Sequence, residues 1–223
     1  MKKLVNKFYE IAKDVNKKFI DDIETRDCPD VLAGCNGKFY FSKNEREKVE
    51  SLELSTDMYN DYQTVVIILE SPHIEEYSKN NKFCPTPAIG RTGTNLQRHF
   101  NQDIIFKHSK TLNKNKNYRV ILMNTIQYQC SLGVATKIYR DDIWDRLWKE
   151  NDIVKNFVNR LKSYNPKVIF NGCTEDSNKA RRTSVSQTIR NNFDNIELFE
   201  MNHPCYWERR KKEIYENMNI IRV

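Results

Sequence analysis

Residues 65–69 read V-V-I-I-L, and Glu70, Ser71, Pro72 and His73 follow without a spacer. A run of β-branched residues and leucine, free of charge and ended by a proline, predicts a strand buried on both faces of a parallel sheet. Parallel sheets collect their ligands at the carboxyl ends of the strands. Glu70 and His73 therefore stand where an α/β protein keeps its chemistry, unless Glu70 does no more than cap the next turn.

The rest of the chain supplies neighbours for that strand. Residues 118–123 (Y-R-V-I-L-M) predict a second strand, ending at Asn124 and Thr125. Residues 167–170 predict a third, ending at Asn171 and Gly172, and residues 196–201 a fourth, running into Asn202, His203 and Pro204. Leu4, Phe8, Ile11, Val15, Phe19 and Ile23 recur at helical spacing and predict an amphipathic helix ending near Thr25. Further helices are expected around Leu96, over 141–148, over 153–164, over 177–193 and over 206–218. Cys28-Pro29 and residues 34–37 read as turns, residues 38–42 as a short edge strand, residues 44–51 as helix or loop, and residues 74–82 as a surface loop. Strands alternating with helices predict a three-layer α/β/α sandwich around a central, mostly parallel four-stranded sheet. We expect one domain over residues 1–223, with residues 1–60 as an N-terminal helical extension packed on it.

Composition narrows the classes. No stretch approaches the roughly 20 apolar residues of a membrane span, and no apolar segment follows the basic start Met1-Lys2-Lys3, so a cytoplasmic monomer is expected. The formal charge of +7 and pI near 9.0 suit a polyanionic partner. Basic residues gather at Lys179-Ala180-Arg181-Arg182 and at Arg209-Arg210-Lys211-Lys212, beyond predicted strand ends, which favours nucleic acid over other polyanions. The six cysteines form no C-x-x-C pair and are expected to be reduced thiols rather than metal ligands.

The four strand ends put Glu70, Asn124, Gly172 and His203 at one sheet edge. A carboxylate, an amide and an imidazole are what cleavage of an N-glycosidic bond needs. The departing base must be held by its edge, its growing negative charge needs a donor, and the sugar cation and incoming water need a carboxylate. Residues 85–93 (P-T-P-A-I-G-R-T-G) add a loop shaped by two prolines and two glycines, followed by a helix whose first turn offers N–H groups to a phosphate.

These motifs resemble those of the uracil-DNA glycosylase superfamily, most closely its iron–sulfur branch. Leu69-Glu70-Ser71-Pro72-His73 resembles that branch's G-E-A-P-G in Glu and Pro, and residues 85–93 resemble its G-R-P-F-V-G-x-A-G loop. Residues 121–125 (I-L-M-N-T), 167–172 (K-V-I-F-N-G) and 203–207 (H-P-C-Y-W) resemble its base-reading Asn strand, its next strand and Gly, and its H-P-S motif. The likeness runs from the first predicted strand to the last helix. It implies Glu70 and His203 as catalytic residues, Glu70 acting on water or on the sugar cation and His203 donating to a base carbonyl. It implies Asn124, His73, Ala88 and Ser71 around the base. Pro72, Pro87, Gly90, Arg91, Thr92, Gly93 and Pro204 would grip DNA with Arg209 and Arg210, and Tyr206 or Trp207 would fill the gap left by a flipped nucleotide.

The departures from that pattern carry expectations of their own. Tyr128 stands where the branch has a cluster-ligating Cys, with Cys130 two residues on, so no iron–sulfur cluster and no other cofactor is expected. Ser71 takes the place of a catalytic Asp, His73 that of a Tyr or Gly, and Ala88 that of the Phe that stacks on uracil. A missing ring makes room for a bulkier modified pyrimidine, such as those of phage DNA, with uracil as the other candidate. The expected activity is a monofunctional DNA glycosylase of repair or phage defence, working without metal. The alternatives are a non-catalytic sensor of a modified base or nucleotide, and a hydrolase of free nucleosides or nucleotides.

Overall fold

The computed structural model describes residues 2–17, 24–42, 61–77, 85–131, 136–175, 180–208, 216 and 218–223. Among them a mixed sheet of seven strands runs in the order β2-β1-β4-β3-β5-β6-β7. The strands are β1 (Val31–Cys35), β2 (Lys38–Phe39), β3 (Gln63–Leu69), β4 (Tyr118–Asn124), β5 (Pro166–Asn171), β6 (Glu197–Glu200) and β7 (Ile221–Arg222). The four strands expected from the sequence are β3 to β6, and they pair in parallel as β4-β3-β5-β6. The expected four-stranded sheet is corrected by its edges. The hairpin β1-β2 adds antiparallel strands beside β4, and β7 adds one beside β6.

The edge strand expected over 38–42 is present as β2 at Lys38–Phe39, but β1 went unread because Gly34 marks a turn in the sequence yet lies inside β1, at a register irregularity against β4. The turn is Asn36-Gly37, both at positive φ (47° and 82°), the conformation that lets a two-residue loop follow the strand twist. Residues 1–60 are therefore not a purely helical extension: β1 and β2 belong to the sheet.

Side-chain alternation sorts the central strands onto two cores. Val66, Ile68, Ile121, Met123 and Ile169 face one cluster. Its other side is built by α1 (Lys2–Val15), α4 (Thr136–Trp148), α5 (Asn151–Ser163) and α6 (Ala180–Asn192). Val65, Ile67, Leu69, Val120, Leu122, Val168 and Phe170 face the second cluster, covered by α2 (Arg91–His99) and α3 (Gln102–His108). Strands buried on both faces have no polar side, which is why residues 65–69 of β3 and 120–123 of β4 read as unbroken apolar runs.

Helix boundaries differ from expectation in part. α1 stops at Val15, with residues 18–23 outside the described residues. Residues 44–51 also lie outside them. α3 was unread; its N-cap Asn101 accepts from the Ile104 amide. After β6 comes a 3-10 turn over Pro204–Tyr206, and most of the expected helix 206–218 lies outside the described residues, as do Lys179, Arg209 and Arg210. No helix among the described residues is long and apolar enough to cross a membrane.

Candidate active site

Glu70 extends the alternation of Val66 and Ile68, so its side chain leaves the sheet toward the α4 and α6 face. Its backbone is pinned by the chain after β4. The Glu70 carbonyl accepts from the Ile126 amide at 3.2 Å, and the Leu69 carbonyl accepts from the Thr125 amide at 2.9 Å. The carboxylate is 3% exposed. Arg140 of α4 brings Nε to 2.9 Å from Oε1, Arg181 of α6 brings Nη1 to 3.4 Å from the same oxygen, and the Thr174 amide donates to Oε2 at 3.3 Å. Burial pushes the Glu70 carboxyl up from its ordinary value, and Arg140 and Arg181 pull against that rise. A buried carboxyl so perturbed, on the wall of a cleft, makes Glu70 a candidate functional group.

That cleft is a cavity of about 260 Å³ at the carboxyl edge of the sheet. Beside Glu70 it is lined by Ser71, Pro72 and His73 from the loop after β3, and by Gly90, Arg91 and Thr92 where α2 begins. His203 and Tyr206, from the segment after β6, line it as well. His203 accepts the Cys205 amide at Nδ1, 3.3 Å away. In the neutral ring this leaves the proton on Nε2, so the imidazole is a donor. Asn95 of α2 donates to the Pro204 carbonyl at 2.8 Å. Glu208 takes Arg98 at 3.1 Å and His99 at 2.9 Å, tying the His203 segment to α2.

Several predicted site residues lie elsewhere. Asn124 pairs with Leu69 in register. It therefore leaves the sheet on the face opposite Glu70, is 1% exposed, and does not line the cavity. Its carbonyl is held by Arg160 Nη2 at 3.0 Å. Ala88 is also buried off the cavity, in the left-handed region at φ 57°. Its amide donates to the buried Glu76 carboxylate at 2.6 Å. No ring is missing from the cavity wall at that position, so the size argument drawn from Ala88 falls. Gly93 is demanded by packing, because a Cβ there would overlap the carbonyl oxygens of Ala88 and Phe41. Pro87 and Pro204 are buried and do not line the cavity. Trp207 is fully buried and donates to the Asn202 carbonyl at 2.7 Å, so it is a core residue and not a wedge.

The basic pair Arg181 and Arg182 is likewise interior, at 1% and 4% exposure. Arg182 donates to the Cys173 carbonyl at 2.9 Å and meets Glu175 at 2.9 Å. These arginines hold the protein together at the site and do not form a surface for a polyanion. Sequence reasoning passed over Arg140, Ser131 and Thr174, which line the cavity. Thr174 sits just beyond a strand end, the signal that exposed the others, whereas Arg140 lies in mid-helix with no local mark.

Comparison of the chain with family models, with curated proteins and with solved structures finds no match.

Proposed function

We propose that this protein is a DNA glycosylase that hydrolyses the N-glycosidic bond of a base lodged in the cavity. One observation carries the reading: Glu70, from the end of β3, and His203, from beyond β6, line the same cavity at the carboxyl edge of the sheet. The finer architecture that goes with it is the three-layer α/β/α sandwich, with helices on each face of the sheet.

The chemistry follows from the two groups. His203 Nε2–H donates to a carbonyl of the base as negative charge gathers there, and the bond from C1′ to the base nitrogen breaks. Glu70 faces the cationic sugar and accepts a proton from the water whose oxygen bonds to C1′. The base departs as its anion and takes up a proton, and Glu70 gives up the one it received from water. The products are the free base and an abasic sugar. Arg91, an exposed cation that lines the cavity, suits a flanking phosphate.

A second reading, hydrolysis of free nucleosides, is favoured by the burial of Trp207, Gly93, Pro87 and Pro204. Burial leaves those four residues little surface to offer a DNA strand. Both readings are tested by incubating the protein with DNA carrying uracil or a modified pyrimidine, and separately with free nucleosides, and measuring released base and alkali-labile sites. Release from DNA that falls at least about 100-fold in Glu70→Gln and in His203→Ala supports the glycosylase. Release from nucleosides alone supports the second reading. Binding of modified DNA that survives Glu70→Gln, with no base released by either protein, indicates a sensor.

A further inference from the structure

Two residues that line the cavity carry hydroxyls without a hydrogen-bond partner among the described residues. They are Ser131 and Thr174, only 2% and 3% exposed, and both hydroxyls are buried. A buried hydroxyl without a partner costs roughly 1–3 kcal/mol. Two such hydroxyls on residues that line one cavity are a cost that a ligand there would offset.

The charges around them decide the class of ligand. Arg140 and Arg181 are matched by the carboxylates of Glu70 and Asp141, with Asp145 a further acidic neighbour of Arg181. The wall carries no cationic surplus for a phosphate or carboxylate, which would also have to approach Glu70. A cation would meet Arg140. What remains is a neutral group that both donates and accepts. Serine and threonine hydroxyls do both, a guanidinium donates, and a carboxylate accepts. The adjacent hydroxyls of a sugar offer the complementary pattern.

We propose that this wall is a subsite for a neutral vicinal diol, with Ser131 and Thr174 as specificity-determining residues. The inference rests on the reading that the cavity takes a nucleoside. It has two chemical sources: the ribose of a free nucleoside, or a hexose carried by the base of a modified DNA.

Binding, not turnover, tests it, on the full chain and by calorimetry. One arm compares cytidine with 2′-deoxycytidine, which lacks the diol. The other compares a duplex containing glucosylated hydroxymethylcytosine with the same duplex containing hydroxymethylcytosine. In one arm the diol-bearing ligand should bind at least about tenfold more tightly, and Ser131→Ala and Thr174→Val should each remove about tenfold of that preference. Their affinity for the diol-free ligand should stay within about twofold, which also shows that the variants are folded. Equal affinities within both pairs, equal losses for both members of a pair, or no binding of any of the four would overturn the subsite. Its failure is distinguishable from that of the glycosylase reading. Base release from uracil DNA without a diol preference sinks only the subsite, and a diol preference without base release sinks only the glycosylase.

Discussion

Arg181 Nη1 lies 3.4 Å from Glu70 Oε1, and the same guanidinium sits 5.2 Å over the Trp144 ring. The Arg181 side chain has no exposed surface. An arginine so enclosed is held by the carboxylate it faces, by Asp141 at 3.1 Å and by Asp145 at 3.4 Å. It thereby fixes where the Glu70 carboxylate points.

Removing one partner of such a group leaves a buried charge unmatched. Arg181→Met should cost about 3–5 kcal/mol of unfolding free energy, as breaking a buried pair does. The double variant Arg181→Met with Glu70→Gln should cost clearly less than the sum of the two single changes. Urea denaturation of the four proteins measures the cycle. Strict additivity would show that the pair does not act as a unit.

Glu197, at the start of β6, sets a different electrostatic expectation. Burial works to raise its carboxyl, but hydrogen bonds from Ser109 Oγ, the Lys110 amide and the Thr111 amide and hydroxyl outweigh burial and hold it below its ordinary value. A depressed carboxyl stabilises the fold above its unfolded-state value and loses that contribution as pH falls through its folded-state value. Stability should therefore drop on the acid side of about pH 4.5. Glu197→Gln should be less stable at neutral pH by about 1.5–3 kcal/mol and show a shallower acid loss. Parallel acid-side slopes in the two proteins would refute the assignment.

Two glycines that both look like phosphate-loop residues should behave unequally. Gly93→Ala forces a Cβ against the backbone carbonyls of Ala88 and Phe41, which have no rotamer to yield. A loss of at least about 1–3 kcal/mol is expected. Gly90→Ala meets only the Glu75 carboxylate, the far end of a flexible side chain, and should change stability by less than about 1 kcal/mol. Thermal melts of the two variants decide, and similar melting points would contradict the packing account.

Ala88→Phe separates the pocket reading of this position from the turn reading. A ring at a buried residue with φ 57° meets both backbone strain and an occupied core. The variant should lose about 2 kcal/mol or more, whereas Ala88→Gly should be neutral or slightly stabilising. A stable Ala88→Phe protein with a changed base preference would restore Ala88 to the cavity wall.

The sequence by itself determined the parallel strands and the residues at their carboxyl ends. Apolar runs long enough to cross a sheet leave no other fate for 65–69 or 118–123, and Glu70, His73 and His203 follow directly from where such runs stop. It did not determine faces or partners. A strand's alternation is visible locally, but which face each side chain takes depends on register, and the pairing of Leu69 with Asn124 sends Asn124 away from Glu70. The turn at Asn36-Gly37 and the edge strand after it were written in the chain, yet Gly34 masked β1 because a glycine in a strand and a glycine in a turn look alike. Only the tertiary structure could bring Arg181, 111 residues beyond Glu70, against that carboxylate and bury a basic pair that reads as surface. Helix packing decides whether a cation meets solvent or a buried acid, and packing is a property of the assembled layers, not of any local stretch.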